Sequence, residues 1–137
     1  MISSISTIAL SGMTAAARRL EVSASNVANV MSTGALPNAD GTLPAGAPQA
    51  YAPLQLVQTD SAGGGTQTSV TTVTPSTTAV SNPQASFANQ NGLVAAPNVD
   101  LSQELVGQMI ASYSFAANAT VMRAADRMSK TLLNVTA

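Results

Sequence analysis

A helical apolar repeat at each end of the chain constrains the fold of this 137-residue sequence more than any other feature. In residues 1–32, apolar or small side chains recur at steps of three or four, so they share one face of an α-helix. No proline interrupts the repeat, and Thr33-Gly34 supplies a stop, because glycine tolerates the left-handed backbone that ends many helices. The sequence therefore predicts one N-terminal helix, whose repeat is formed by Ile2, Ile5, Ala9, Met13, Ala16, Leu20, Ser23, Val27 and Val30.

A second helical repeat covers residues 98–135. Asp100 marks its start, since an aspartate can cap a helix together with Gln103 three positions on. Two adjacent apolar stripes follow, and together they form a face wider than one partner helix would cover. This width favours assembly with other chains over the alternative that the middle segment covers the surplus. The stripes consist of Val106, Ile110, Tyr113, Ala117, Val121, Ala124, Met128, Leu132 and Val135, and of Leu101, Leu105, Met109, Ala116 and Ala119.

The middle of the chain, residues 33–97, contains all seven prolines and only two charged residues. Residues 51–58 and 66–74 are rich in β-branched and apolar side chains, which is typical of strands. The glycine-rich residues 60–65 between them favour a tight turn, so a β-hairpin is predicted here. The flanking stretches are expected to be irregular or extended loop, with disorder as the alternative; they comprise residues 35–50 and 75–97.

The predicted fold class is therefore mainly α. Long N- and C-terminal helices form an antiparallel, coiled-coil-like pair, with a small β-hairpin and extended loops in the middle. The chain divides into an N-terminal axial helix (1–34), a low-charge loop and hairpin region (35–97) and a C-terminal axial helix (98–137), and the two helices form one axial domain. Because much of the apolar fraction is alanine, the pair buries little area, and a lone chain is expected to be marginally stable.

Composition argues against an enzyme. The chain has no cysteine and no histidine, which removes thiolate chemistry, the usual metal ligands and the commonest general acid–base group. Asp100 and Glu104 would share a helix face, but a helix start that favours negative charge explains them better than a carboxylate pair. No cofactor is expected. A net charge of −1 without clustered basic residues also argues against nucleic acid as a partner.

The apolar start of the chain has two interpretations. Residues 1–17 end in three alanines, as a secretory signal does, and cleavage would then fall near Arg18. However, no basic residue precedes the apolar part, and serine and threonine interrupt it, so an uncleaved start is expected. No run approaches the roughly 18 apolar residues that span a bilayer, so no direct membrane insertion is expected.

Two asparagines near the end of the first helix are the most unusual local feature, because asparagine is a poor helix former. Beside the helix seam, Asn26 and Asn29 would hydrogen-bond across helices and fix their register, as a buried asparagine does in coiled coils. Fraying at the helix end is the alternative. The stretch Ser23-Ala24-Ser25-Asn26-Val27-Ala28-Asn29, with Thr33 after it, resembles the N-terminal motif of the bacterial flagellar axial family (rod, hook and hook-associated proteins), Ala-Ser-Asn-Leu-Ala-Asn followed by threonine.

A second stretch carries a stronger resemblance. The segment before the last helix is similar to that of the proximal rod proteins in Asn82-Pro83, Ala88-Asn89, Asn91-Gly92-Leu93-Val94 and Pro97-Asn98-Val99-Asp100. Within that helix the order and spacing match in Glu104-Leu105-Val106, Met109-Ile110-Ala111, Tyr113, Ala117-Asn118 and Leu132-Leu133. The chain departs from the family at Val27, where leucine is usual, and at Ser112, where arginine is frequent.

The resemblance implies a structural subunit of the bacterial flagellar basal-body rod, which crosses the periplasmic space and carries torque to the hook. Such subunits leave the cell largely unfolded through the flagellar type III export apparatus, without a cleaved signal. They fold on the growing rod, beside other rod subunits and copies of themselves, with their terminal helices forming the inner tube. A divergent axial paralogue or a secreted helical binding or regulatory module is the alternative. The residues expected to pair the helices or mediate assembly are Ile5, Met13, Leu20, Asn26, Val27, Asn29, Leu105, Met109, Ile110, Tyr113, Asn118, Val121, Met128 and Leu132.

Overall fold

The computed structural model describes residues 2–38 and 40–135, apart from the side chains of residues 2, 3 and 135, so the extreme ends of the two predicted helical segments lie outside it. Two helices enclose four short strands in chain order. The elements are α1 (Ile2–Ala28), β1 (Leu54–Asp60), β2 (Thr66–Thr72), β3 (Thr77–Ser81), β4 (Leu93–Pro97) and α2 (Leu101–Val135). The predictions of long terminal helices and of a hairpin between them are confirmed.

The N-terminal helix ends earlier than the sequence predicts. α1 stops at Ala28 rather than near residue 32. The stop expected at Gly34 is wrong, because this glycine has no positive φ and forms an isolated antiparallel bridge with Ala95. A Cβ at Gly34 would overlap the backbone at Ala50, so close backbone approach explains the glycine.

The start of α2 confirms the predicted cap. The Oδ1 atom of Asp100 accepts hydrogen bonds from the backbone N–H groups of Ser102 (2.9 Å) and Gln103 (3.1 Å). The Gln103 side-chain amide returns a bond to Asp100 Oδ2 (3.2 Å). Two backbone donors that have no partner inside the helix are thereby satisfied.

Replacing this cap should weaken α2. We expect Asp100→Ala to lower the free energy of unfolding by about 1 kcal/mol, because two backbone N–H groups lose their acceptor. Asp100→Asn keeps a side-chain oxygen at the same place and serves as the control. Urea denaturation followed by circular dichroism checks the difference, and an equal loss in both variants would show that the charge, not the hydrogen bond, matters.

The predicted hairpin is present and lies along α1. β1 pairs with β2 in antiparallel register from Leu54↔Thr72 to Asp60↔Thr66. Gly64, which has φ 84° in the turn, comes close to the Ile8 side chain, so the hairpin tip lies near the first turns of α1. The hairpin is anchored to α1 by three contacts: Leu54 with Asn26, Gln58 with Arg19, and Thr66 with Ser11. The three anchoring positions of α1 are seven or eight residues apart and share one side of the helix.

A second two-stranded sheet lies where the sequence predicts only loop. Residues 75–97 contain β3 and β4, which pair antiparallel from Thr77↔Pro97 to Ser81↔Leu93. Val94 and Ala95 of β4 are buried. The loop prediction for this stretch is wrong, because each strand is only five residues long and gains its structure from a partner distant in sequence.

α1 is the central element of the fold, with α2 on one side and the hairpin on another. The two helices run in opposite directions, since Ser23 near the end of α1 contacts Glu104 near the start of α2, while Gly12 lies beside Asn118. Among the residues that the structure describes, no helix is both long and apolar enough to cross a membrane.

Candidate functional site

The contact between the two helices is built from small side chains. Its buried residues are alanines and polar residues with few large apolar groups, which lets the helix backbones approach closely. We call this contact the seam. Its buried members on the faces that carry Gly12 and Asn118 are Ala9, Ala16 and Ser23 of α1 and Ala111 and Ala125 of α2, and Asn26 bonds across it to Glu104.

Gly12 marks a close approach between the two helices of the seam. A Cβ built on Gly12 would lie 2.6–2.7 Å from the side-chain amide atoms of Asn118. Asn118 itself donates to the backbone carbonyl of Ser114 (2.8 Å), which holds its side chain against α2. The seam therefore has no room for a larger residue at position 12 unless Asn118 moves.

Asn26 joins three elements at one buried point. Its side chain is 2% exposed. The Nδ2 group donates to the Leu54 carbonyl (2.8 Å) and to Glu104 Oε1 (2.6 Å), and Oδ1 accepts from the Leu54 N–H (2.9 Å) and the Tyr51 hydroxyl (3.1 Å). One amide thus satisfies both its donors and its acceptor while it links α1 to β1 and to α2.

The two candidate carboxylates at the start of α2 have separate structural partners. Asp100 caps its own helix, whereas Glu104 accepts from Asn26. The Glu104 backbone carbonyl also accepts from the Ser23 hydroxyl (3.1 Å), so the same turn of α2 meets α1 twice. This arrangement agrees with the helix-start interpretation and leaves no paired-carboxylate geometry.

Asn29 differs from Asn26 in its partners. Its side-chain amide donates to the Ser25 carbonyl (2.9 Å), which lies one turn earlier in the last turn of α1. The two asparagines therefore have different roles. Asn26 hydrogen-bonds to β1 and to α2, whereas Asn29 hydrogen-bonds only within the end of its own helix.

Most large apolar residues of α2 point away from α1. These side chains are between 45% and 76% exposed, and we call them the outer face of α2. Among the described residues, α1 is the only named element that packs against α2, so the middle segment does not cover this face. The outer face comprises Leu101, Leu105, Val106, Met109, Ile110, Tyr113, Phe115, Val121, Met128, Leu132 and Leu133.

The structure distributes the predicted assembly residues over three places. Within one chain, the buried residues of the seam are mostly small, and Asn26 and the half-buried Asn118 join them. The assembly role of the large residues stays a prediction. Exposed on the outer face lie Leu105, Met109, Ile110, Tyr113, Val121, Met128 and Leu132; on α1, Leu20 is exposed and Ile5, Met13 and Val27 are half-buried.

Sequence reasoning missed several members of the site. Tyr51 and Leu54 contact Asn26 across more than twenty positions of sequence, and no local pattern signals such a contact. Gly12 had a usable signal, because a glycine inside a helix that is otherwise uninterrupted often marks a close packing contact. Ile8 and Leu10 of α1 are also exposed and stand outside the predicted stripe.

Chemistry-bearing groups are sparse. No group of three or more metal-ligating side chains occurs in the described part of the chain. Hydrogen bonds from the Thr42 hydroxyl (2.6 Å) and backbone N–H (2.9 Å) lower the pKa of the Asp40 carboxyl, which lies on an exposed loop. These bonds close a local turn and do not form a site.

Comparison with known proteins finds a flagellar rod family match at each end of the chain. Residues 7–35 match the family described as flagella basal body rod protein, and residues 90–135 match flagellar basal body rod FlgEFG protein C-terminal. The flagellar basal-body rod proteins FlgC of Salmonella typhimurium and Salmonella typhi are each 37% identical to this chain over 127 residues, which cover 88% of the chain and 87% of each relative.

The two matches cover most of α1 and α2, which are the helices that form the seam, and this defines a structural protein of the basal-body rod class. The chain belongs to the family of the flagellar basal-body rod protein FlgC. It is a structural subunit of the rod and not an enzyme, and the resemblance seen in the sequence is confirmed.

Proposed function

We propose that this chain is a proximal rod subunit that folds on assembly, beside copies of itself and other rod subunits, and transmits torque across the periplasmic space. Its terminal helices form a coiled-coil-like antiparallel pair that contributes to the inner tube. The observation that carries the proposal is the outer face of α2, which exposes large apolar side chains on the helix that the family match covers.

The outer face is a source of assembly energy. Full burial of a Leu, Ile, Val or Met side chain contributes about 1.5–3 kcal/mol. Since Ile110 is 48% and Met109 58% exposed, each such residue would add about 1 kcal/mol on contact with a neighbour. Several residues together would therefore contribute several kcal/mol of favourable free energy to assembly.

The low charge of the chain also favours assembly. Only 8% of residues are charged, so neighbouring copies can approach without burying many ions, each of which would cost several kcal/mol. The ion pairs Arg18–Glu21 and Asp126–Lys130 lie within single helices and stay exposed. They support their own helices weakly and do not oppose assembly.

Export in an unfolded state agrees with the small apolar area that the seam buries. Alanines bury little area, so separating the helices requires less free energy than a leucine-rich core would. Export without cleavage is supported by the packing of α1: removal of residues 1–17 would take away Ala9, Ala15 and Ala16, which are buried in the fold.

A charge on the outer face tests the proposal. We expect Ile110→Asp to abolish swimming in a strain that lacks the native copy, because assembly would bury an unpaired carboxylate. The helix content of the purified chain should stay the same, since Ile110 is half exposed in it. Swimming assays and circular dichroism measure these two quantities, and electron microscopy shows whether basal bodies contain an assembled rod.

The matched control is Ser112→Asp, which adds the same charge two residues away at an exposed position that is already polar, so that no apolar side chain is removed. It should leave swimming unchanged or nearly so. Normal swimming of the Ile110 variant, or equal loss in both variants, would contradict a role of the outer face in assembly.

A further inference from the structure

Gly107, in the first half of α2, has no explanation within the described part of the chain. Glycine weakens a helix interior relative to alanine, so it usually has a packing reason. Gly12 has such a reason in Asn118, but a Cβ built on Gly107 would meet no atom within 4 Å. The open space beside Gly107 is therefore available to another backbone.

Gly107 lines an open groove between α1, β1 and the start of α2. The groove has a volume of about 470 Å³. One turn of helix, roughly 10–12 Å across and 5.4 Å long, fills about 420–610 Å³, which is of the same order as the volume of the groove. Its lining includes Ser23, Asn26, Leu54, Leu56, Glu104 and Gly107.

We infer that this groove receives α2 of a second copy of the chain, at the turn around Ala124. The inference rests on the proposed function, in which copies pack side by side. Ala124 lies between Val121 and Met128 on one helix face, and its small side chain lets the incoming backbone approach Gly107. The two larger residues would then contact the apolar side chains of the lining, such as Leu54 and Leu56.

Charge complementarity favours a second copy as the occupant. Asp100, Glu104 and Arg19 line the groove, so the lining has a net charge of −1. Arg123, Asp126 and Arg127 lie next to Ala124, and Asp126 already pairs with Lys130, which leaves the two arginines as the unpaired charges of this turn. Within one copy Glu104 and Arg127 are about 35 Å apart along the helix, at about 1.5 Å per residue, so they cannot pair with each other. Neither arginine forms an ion pair among the described residues.

Glu104 can serve both its internal partner and an incoming arginine. It accepts from Asn26 through Oε1. A carboxylate offers about four lone-pair sites on its two oxygens, so a guanidinium can bind it without displacing the amide. The contact would run from the acidic start of α2 in one copy to the basic part of α2 in the next, which is a head-to-tail arrangement.

Cysteine pairs test the contact, because the chain has no cysteine of its own. Gly107→Cys, Ala124→Cys and the double variant replace the native protein in cells, and basal bodies are purified and oxidised. A disulfide requires the two Cα atoms to lie within about 7 Å. We expect a band at twice the chain mass, and higher multiples, only when both substitutions are present.

Three results would overturn the inference: a double variant that enters basal bodies without forming such bands, a dimer band from Gly107→Cys alone, or a crosslink to a different rod protein. Immunoblots of the same basal bodies for the chain itself report on the proposed function separately. Absence of the unsubstituted chain from basal bodies would sink that function rather than the groove contact.

A bulky residue gives a second readout without oxidation. Gly107→Leu should fold normally, because its side chain meets open space in the single chain, yet swimming should be lost since the groove is filled. Ser112→Leu is the control on the same helix and should swim. Normal swimming of the Gly107 variant would reject the contact.

Discussion

Replacing Asn26 by leucine is expected to lower the free energy of unfolding of the isolated chain by about 3 kcal/mol or more, because buried polar groups lose their partners. The Leu54 N–H and carbonyl, the Tyr51 hydroxyl and Glu104 all hydrogen-bond to this one amide. Each buried donor or acceptor left unsatisfied costs about 1–3 kcal/mol, and these costs are not additive. The loss should lower the melting temperature by about 10 °C.

Asn29→Leu is the matched control for this prediction. Asn29 bonds only to the carbonyl of its own helix end, so its replacement should cost less than about 1 kcal/mol. Urea denaturation of both variants, followed by circular dichroism, gives the two free energies. Equal destabilisation would show that Asn26 acts through helix propensity and not as a junction between three elements.

Asn26→Asp tests the acceptor and the donor of the amide separately. Aspartate can still accept from the Leu54 N–H and the Tyr51 hydroxyl, but it has no donor for the Leu54 carbonyl and it faces Glu104. A second carboxylate beside Glu104 is repulsive in this buried position. We therefore expect the aspartate variant to be destabilised as well, and the loss of stability to decrease at acidic pH, where one of the two carboxyls takes up a proton.

Gly12→Leu is expected to have the second largest effect, a loss of about 3 kcal/mol, because overpacking a tight contact costs typically 1–3 kcal/mol and occasionally more. Even a Cβ at this position would lie 2.6 Å from Asn118 Oδ1, and the leucine adds three more carbons. The two helices must then separate or shift along the seam. Gly107→Ala, which meets open space in the same helix pair, should instead stabilise the isolated chain by about 1 kcal/mol.

A double-mutant cycle tests whether Asn118 is the obstacle. Asn118→Ala alone removes the side-chain bond to Ser114 and should cost little, since that bond lies within its own helix. Combined with Gly12→Ala, it should recover most of the stability that the Gly12→Ala change alone removes, and the coupling free energy measures the contact. If the effects of the two substitutions are simply additive, the strain caused by a side chain at position 12 does not come from Asn118.

The exposed outer face and the small-residue seam together explain why rod subunits of this kind suit assembly. The residues that hold one copy together are mostly small and bury little area, while many of its large apolar residues remain on the surface. Contact with neighbours would therefore add to the free energy that keeps one copy folded, in line with the proposed function.

Local features were predictable from the sequence because their physical cause is local. The 3–4 spacing of apolar residues predicts both helices, and Asp100 with Gln103 predicts the start of α2, where the cap is present. The glycine-rich turn between two β-branched runs predicts the first hairpin. Each depends on a few neighbouring residues whose backbone preferences act within a turn or two.

The direction in which each helix face points was decided only by the tertiary structure. Large and small residues both recur at helical spacing in α2, and the repeat alone does not say which set faces α1. The close approach of Gly12 to Asn118 selects the small set, and the large set is left on the outside. Likewise, Asn26 and Asn29 are equivalent in sequence, and only the arrival of Leu54 and Glu104 from distant parts of the chain distinguishes them.

The sequence by itself thus determined the two helices, the cap, the first hairpin and, through motifs at both ends, the flagellar rod family. The pairing of β3 with β4, the role of Gly34 and the junction at Asn26 depended on tertiary structure. The physical reason is that hydrogen bonds between distant segments form only after chain entropy has been lost elsewhere, so no short window of residues encodes them.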